Sequence, residues 1–163
     1  MRTGKSDYKI IRVTPTLDAG TAYGAGEVLF NPTEIPNAVF HNGGASKLMS
    51  VGFIDYDNNN DAHGIDLYFF QLGTNDIGTL GGVIDITDPE LLSNKFLGLV
   101  KVAGVANDAS GDALLSKVAS VRGVDLIVQA EDSSSSIFVA AVCDTSTVST
   151  TAGKELIFGF EQL

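Results

Sequence analysis

Short runs in which apolar and polar residues alternate dominate this chain, and such runs predict strands. In the last run, Leu156, Phe158 and Phe160 would point to one face while Glu155 and Glu161 point to the other. Residues typical of tight turns separate the runs. The predicted strands cover residues 8–13, 27–30, 38–40, 47–54, 65–71, 96–102, 124–130, 136–143 and 155–161.

One helix is predicted near residues 88–95. Thr87 and Glu90 have the spacing of a capping box, and Pro89 is suited to the first helical turn. Gly98 would end the helix. The residues expected on its buried side are Leu91, Leu92 and Phe96.

Proline marks two expected strand ends. Pro15 would end the first strand, and Asn31 followed by Pro32 would end the second. Residues 103–120 show no clear period. We favour a loop with a short strand at 114–118, and the alternative is a distorted helix.

These elements predict an all-β fold: an antiparallel β-sandwich, of which the jelly roll is one arrangement. A chain of 163 residues is long enough for one domain with its own core. We therefore divide it into residues 1–13, an N-terminal arm or first strand, and residues 14–163, a single β-sandwich domain. No apolar run reaches the length of a membrane span, and we expect neither membrane insertion nor a secretion signal.

The charge of the chain argues against nucleic acid as a partner. The net charge is −10, so there is no overall basic surface for phosphates. Four of the ten basic residues nevertheless lie in the first twelve positions. They are Arg2, Lys5, Lys9 and Arg12.

One polar segment, residues 55–66, has almost the spacing of a calcium-binding loop. Position 12 of that loop is Asp instead of the usual bidentate Glu, and strands flank it instead of helices. Asn and Asp side chains also stabilise turns without a metal. We therefore favour a solvated hairpin loop over a metal site. The weak calcium candidates are Asp55, Asp57, Asn59, Asp61 and Asp66.

No arrangement of residues predicts an enzyme, so we assign no catalytic residue and no cofactor. His41 and His63 would need further ligands to bind zinc, and Cys143 lies in an apolar run that favours a buried thiol. The glycine-rich segment 78–82 lacks the lysine of a phosphate-binding loop.

Four segments, taken in order, resemble a family of small structural proteins of tailed bacteriophages, the head decoration or cement proteins. The resemblance implies a β-sandwich that binds the major capsid protein and self-associates, with a trimer favoured over a dimer. It also implies a location on the outer surface of the capsid, after assembly in the host bacterial cytoplasm. The segments are YGAGEVLFNPTEIPNAV (23–39), GGASKLMSVGFIDYDNNNDAHGIDLYFFQ (43–71), SVRGVDLIVQAEDSSSSIFVAAV (120–142) and TAGKELIFGF (151–160).

The basic start of the chain is the candidate docking arm in this interpretation. It would extend and add a strand to the edge of a capsid or sister subunit. The alternative is an ordinary first strand preceded by a frayed tail. The docking candidates are Arg2, Lys5, Tyr8, Lys9, Ile10, Ile11 and Arg12.

Two further functions remain open. A tail, fibre or knob component belongs to the same class of virion structural proteins. A carbohydrate-binding β-sandwich is a different class, in which Tyr23 and Tyr56 would be the stacking platforms because the chain has no Trp.

The hairpin interpretation of residues 55–66 predicts that the protein does not bind calcium. Isothermal titration calorimetry on chelator-stripped protein should show no heat beyond dilution at millimolar calcium. Saturable heat would establish the metal site instead.

Overall fold

The computed structural model describes residues 7–18, 22–56, 64–103, 118–144, 147–148 and 153–163. Within these ranges the chain forms ten strands and one short helix. The elements are β1 (Asp7–Val13), β2 (Ala22–Tyr23), β3 (Val28–Ile35), β4 (Ala45–Asp55), β5 (Ile65–Phe70), α1 (Asp88–Asn94), β6 (Phe96–Val102), β7 (Val118–Gln129), β8 (Ile137–Cys143), β9 (Thr147–Val148) and β10 (Lys154–Gln162).

Two four-stranded antiparallel sheets form the body of the protein. Sheet 1 has the strand order β1-β10-β4-β7, and sheet 2 has the order β3-β8-β5-β6. The short strands β2 and β9 pair with each other. The predicted all-β sandwich is confirmed, and no helix in the described ranges is long and apolar enough to cross a membrane.

The strand pairing is nested. Counted along the chain, the first of the eight long strands pairs with the eighth (β1 with β10) and the second with the seventh (β3 with β8). The third pairs with the sixth (β4 with β7) and the fourth with the fifth (β5 with β6). Pairing of β10 with β4 and of β8 with β5 then completes the two sheets. The fold is therefore one long antiparallel ribbon, doubled back and wrapped into a sandwich.

The main core lies between the sheets and is built by the alternation seen in the sequence. Leu156, Phe158 and Phe160 are all buried, as predicted. Phe158 of sheet 1 meets Phe69 of sheet 2 edge to face, with ring centroids 5.9 Å apart. Burying each such side chain contributes about 1.5–3 kcal/mol, so this layer holds the sheets together.

A second apolar cluster covers the outer face of sheet 2. Residues 71–95 cross that face and are fixed by Asn94, whose side chain is fully buried. Its Oδ1 accepts the Asn75 backbone N–H at 2.9 Å, and its Nδ2 donates to the Asn75 carbonyl at 2.7 Å. The buried members of the cluster are Val28, Phe70, Ile77, Ala140 and Val142.

The helix begins as predicted but buries less than expected. Glu90 accepts hydrogen bonds from both the backbone N–H and the hydroxyl of Thr87, at 2.9 and 2.8 Å. Leu92 is 79% exposed, so its predicted burial is wrong, because a helix of seven residues lying on a sheet buries only a narrow stripe. Lys95, in the left-handed conformation, ends the helix in place of Gly98, which lies inside β6.

Three strand predictions are wrong, two of them in their bounds and one because no strand forms. β3 continues through Pro32, which an edge strand tolerates where its register shifts. Residues 38–40 form no strand; Ala38 and Val39 are buried in the turn after β3. β7 begins at Val118 instead of 124, because a bulge around Gly123 (φ 66°) lets it continue. The predicted strand at 114–118 falls outside the described residues except at Val118.

An ion pair is buried where β10 begins and β4 ends. Lys154 Nζ lies 2.8 Å from Asp55 Oδ1, with side chains only 1% and 8% exposed. The two residues are register partners in sheet 1. Two charges buried in contact hold each other in place, and losing either one leaves the other poorly solvated.

Asp55→Ala should therefore lower the free energy of unfolding by about 3–5 kcal/mol. The double variant Asp55→Leu/Lys154→Met should lose less than this single variant, because it leaves no buried charge. Urea denaturation followed by circular dichroism measures both. Equal losses in the two variants would contradict a role for the pair.

Candidate functional site

The outer face of sheet 1 exposes three large apolar side chains. Tyr8 is 75% exposed, and Ile10 and Ile127 are each 65% exposed. These side chains lie at the two lateral edges of the face, on β1 and β7. Aromatic and aliphatic side chains at this level of exposure are typical of surfaces that bind a partner.

Register fixes the layout of this face. In the row that begins at Ile10 the two central positions, Gly159 and Ser50, are small, and Gly159 has no room for a Cβ, which would lie 2.5 Å from Ser50 Oγ. The face is therefore low at the centre of this row. Its successive rows, from β1 to β7, are Tyr8–Glu161–Lys47–Ile127, Ile10–Gly159–Ser50–Arg122 and Arg12–Ile157–Gly52–Ser120.

A hydrogen-bonded group of charged residues lies at one end of the face. The Tyr56 hydroxyl donates to Glu155 Oε2 at 2.7 Å, and Arg12 donates to Glu155 Oε1 at 2.6 Å. These two hydrogen bonds, that of Tyr56 first, hold the pKa of Glu155 below its usual value. The hydrogen bond to Glu155 likewise raises the pKa of Arg12. The Arg12 guanidinium is therefore held close to the strand and remains charged.

Strand β1 forms one edge of sheet 1. It pairs with β10 over all seven of its residues, without a register shift. On its other side, the described residues supply no backbone hydrogen-bond partner. By contrast, the outer edge of β3 contains Pro32. At Val28 this edge also forms backbone hydrogen bonds with Gly81 and Gly82. β1 is thus a regular strand with an open edge.

The structure separates the predicted docking residues into groups. Tyr8, Ile10 and Arg12 lie on the outer face, whereas Ile11 is 7% exposed and packs in the core. Lys9 points to the inner side and donates to the Asn37 carbonyl at 3.2 Å. Arg2 and Lys5 lie outside the described residues.

The calcium candidates do not come together as a site where they are described. Asp55 is engaged by Lys154, and Asp66 Oδ2 lies 2.9 Å from the Lys101 ammonium. In the described ranges, no group of three or more His, Cys, Asp or Glu side chains is placed to hold a metal. Asp57, Asn59, Asp61 and also His63 lie outside those ranges.

The two proposed sugar platforms are differently placed. Tyr23 is only 2% exposed, and its hydroxyl accepts a hydrogen bond from the backbone N–H of Asp18 and donates one to the carbonyl of the same residue. It is therefore not available for stacking on a sugar. Tyr56 is 53% exposed, with its hydroxyl committed to Glu155.

Sequence reasoning missed a polar depression of about 940 Å³ beside the segment that covers sheet 2. Asn31 shapes it: its Nδ2 donates to the Gly78 carbonyl at 2.8 Å, and its Oδ1 accepts the Ile77 N–H at 2.9 Å. In the sequence, Asn31 followed by Pro32 was interpreted as a strand end. The Asn31 side chain instead joins β3 to residues 77 and 78. The acidic residues on its wall are Asp18, Asp76, Asp85 and Glu90.

Cys143 is a structural thiol, as predicted. It is 1% exposed in the core, and burial raises its pKa to about 12. At neutral pH it therefore remains a protonated, unreactive side chain.

Comparison with known proteins identifies no family. No protein-family model matches the chain, and no curated protein matches its sequence.

Solved structures give weak matches only. A semi-empty virus-like particle of the giant freshwater prawn Macrobrachium rosenbergii nodavirus aligns at 12% identity and a TM-score of 0.38, over 99% of this chain and 96% of that one. Infectious bursal disease virus, Gt strain, aligns at 13% identity and 0.20, over 96% of this chain but 42% of that one. The VP2 subviral particle of infectious bursal disease virus aligns at 10% and 0.22, over 97% and 42%. Similarity at this level carries no inference about the function of the chain.

Tyr56→Phe should raise the pKa of Glu155 toward its ordinary value, because the carboxylate loses a hydrogen-bond donor. Adding Arg12→Met should raise it further. Since folding lowers this pKa, the stabilisation it gives is present above the ordinary pKa and is lost as the pH falls through the lowered value.

Carboxyl-carbon NMR titration measures this effect, and Glu90 is the internal control. Its pKa is lowered by the backbone and hydroxyl of Thr87, far along the chain from Tyr56. A rise at both residues, or at neither, would contradict the proposed hydrogen-bonded group.

Proposed function

We propose that this chain is a non-enzymatic virion structural protein that decorates and stabilises the outer surface of an icosahedral phage capsid. The nested strand pairing carries the proposal. A first-with-eighth, second-with-seventh, third-with-sixth and fourth-with-fifth pattern is that of an eight-stranded jelly roll, the sandwich used by viral capsid and lectin domains.

A fold alone does not assign a function, so the surface must supply the second argument. Sheet 2 is covered by the chain's own residues 71–95, whereas the outer face of sheet 1 leaves Tyr8 and Ile10 exposed beside the fixed charge of Arg12. Tyr and Arg are enriched where proteins bind one another. This face therefore supports docking to another protein.

The proposed partners are the major capsid protein and further copies of this chain. Many copies on a symmetric shell give avidity, so that individually weak contacts reinforce the capsid together. The resemblance to head decoration proteins supports the same location, on the virion surface after assembly in the host bacterial cytoplasm. No catalytic residue, cofactor, nucleic acid or membrane enters this proposal.

A lectin-like function uses the same fold and is the second candidate. The burial of Tyr23 argues against it, because only Tyr56 remains of the two expected platforms. A tail, fibre or knob component would use the same docking face at far fewer positions on the particle.

Quantitative mass spectrometry of purified particles tests the proposal. A capsid decoration protein should be present at about one copy per major capsid subunit, or at a simple fraction of that number, because it follows the symmetry of the shell. The major capsid protein in the same digest is the internal standard.

Other copy numbers would redirect the assignment. A handful of copies per particle would favour a tail or vertex component. Absence from particles would refute a virion protein, and binding on a glycan array, with and without calcium, would then test the lectin-like function.

A further inference from the structure

Of the four outer strands of the sandwich, β1 is the one whose pairing with its neighbour has no register shift. β6 and β7 pack beside each other on one side of the sandwich, and β1 approaches β3 on the other, but no backbone hydrogen bond of the described residues joins β1 to β3. β3 is interrupted by Pro32, by two register shifts and by the backbone of residues 81–82. β1 has neither a proline nor a register shift within Asp7–Val13. Natural proteins commonly block exposed edges of this kind, and a regular open edge is a template for pairing.

The sequence of β1 complements itself when two copies run antiparallel. With Ile10 opposite Ile10 of the second copy, each Tyr8 lies opposite an Arg12, and all of these side chains share the outer face. The ring of Tyr8 can then accept the guanidinium of Arg12 against its face. The pairing has an apolar centre flanked by two equivalent cation–aromatic pairs.

Moving the twofold axis by one residue in either direction, which shifts the pairing by two residues, loses the match. Centring on Lys9 would place two ammonium groups opposite each other. Centring on Ile11 would place Ile10 opposite Arg12 and remove Tyr8 from any cross-strand pair with Arg12. Register is therefore specified by the side chains themselves.

We infer that the open edge of β1 pairs antiparallel with β1 of a second copy of this chain, with Ile10 on the twofold axis. The two copies of sheet 1 join into one sheet of eight strands. Pairing of this kind uses backbone hydrogen bonds for affinity and the Tyr8–Arg12 pairs for register.

Charge favours a second copy of this chain as the occupant. Glu161 lies beside Tyr8 in the same row of sheet 1. Arg12 of each copy stays hydrogen-bonded to Glu155 of its own copy, and the Glu161 carboxylate lies one strand behind Tyr8. The ring of Tyr8 is therefore the group that Arg12 of the second copy meets. A cation faces an electron-rich ring twice across the contact, and no two like charges on the outer face are directly opposed.

A twofold contact of this kind closes on itself, because both copies use the same surface. It gives a dimer, the second of the two oligomeric states considered in the sequence analysis, where a trimer was favoured. The inference specifies the self-association within the proposed function, but it depends only on this chain and not on the presence of a capsid.

Sedimentation velocity of the purified full-length protein over a concentration series tests it. The wild-type protein should dimerise, and Ile10→Glu should raise the dissociation constant by about tenfold or more, since like charges directly opposite each other oppose pairing. The matched control is Val83→Glu, at a residue of similar exposure (68%) in the segment that covers sheet 2, outside the docking face. It should dimerise as wild type does, and circular dichroism confirms the fold of both variants.

Disulfide trapping gives a second readout that does not require a disruptive substitution. A residue on a twofold axis meets its own copy, so oxidised Ile10→Cys should form a covalent dimer much faster than Val83→Cys. Cys143 is buried in the core and does not interfere.

A monomeric wild-type protein at all accessible concentrations would overturn the inference. So would a dimer that both glutamate substitutions weaken equally, or cross-linking at equal rates through the two cysteines. These outcomes leave the particle copy number untouched, so a failure of the dimer and a failure of the virion assignment are distinguished.

Discussion

The insertion of β10 between β1 and β4 is the constraint on which the rest of the structure depends. This strand supplies Leu156, Phe158 and Phe160 to the core, and its backbone forms hydrogen bonds with β1 on one side and β4 on the other. Its contacts join residues separated by most of the chain length, so loop-closure entropy opposes them until many form together. Sheet 1 is therefore completed only when both ends of the chain have met.

Two local features keep β10 in register. The buried pair of Lys154 with Asp55 fixes its first residue against the end of β4. Gly159 lets the backbones of β10 and β4 approach where any Cβ would meet Ser50 Oγ. A slip of one residue would turn Phe158 and Phe160 outward. Contacts that fix the register of β10 therefore also keep its apolar side chains in the core.

The two sheets differ in what covers their outer faces, and this difference carries the functional interpretation. Residues 71–95, anchored by Asn94, close sheet 2 with a second apolar cluster. The corresponding face of sheet 1 keeps Tyr8, Ile10 and Ile127 in solvent. Exposing these side chains is unfavourable for an isolated chain, and contact with another subunit or with a shell would recover that free energy.

Local pattern was enough to predict most of the long strands, the start of α1 at its capping box and the burial of Cys143, because each depends mainly on neighbours within a few residues. The nested pairing, the exposure of Leu92 and the burial of Tyr23 depended on partners far along the chain. In β1 the sequence offered two adjacent isoleucines, and only the sandwich decided that Ile11 enters the core while Ile10 faces solvent. Alternation determines that a strand has two faces; the choice between core, covering segment and open surface is made when distant strands pack together.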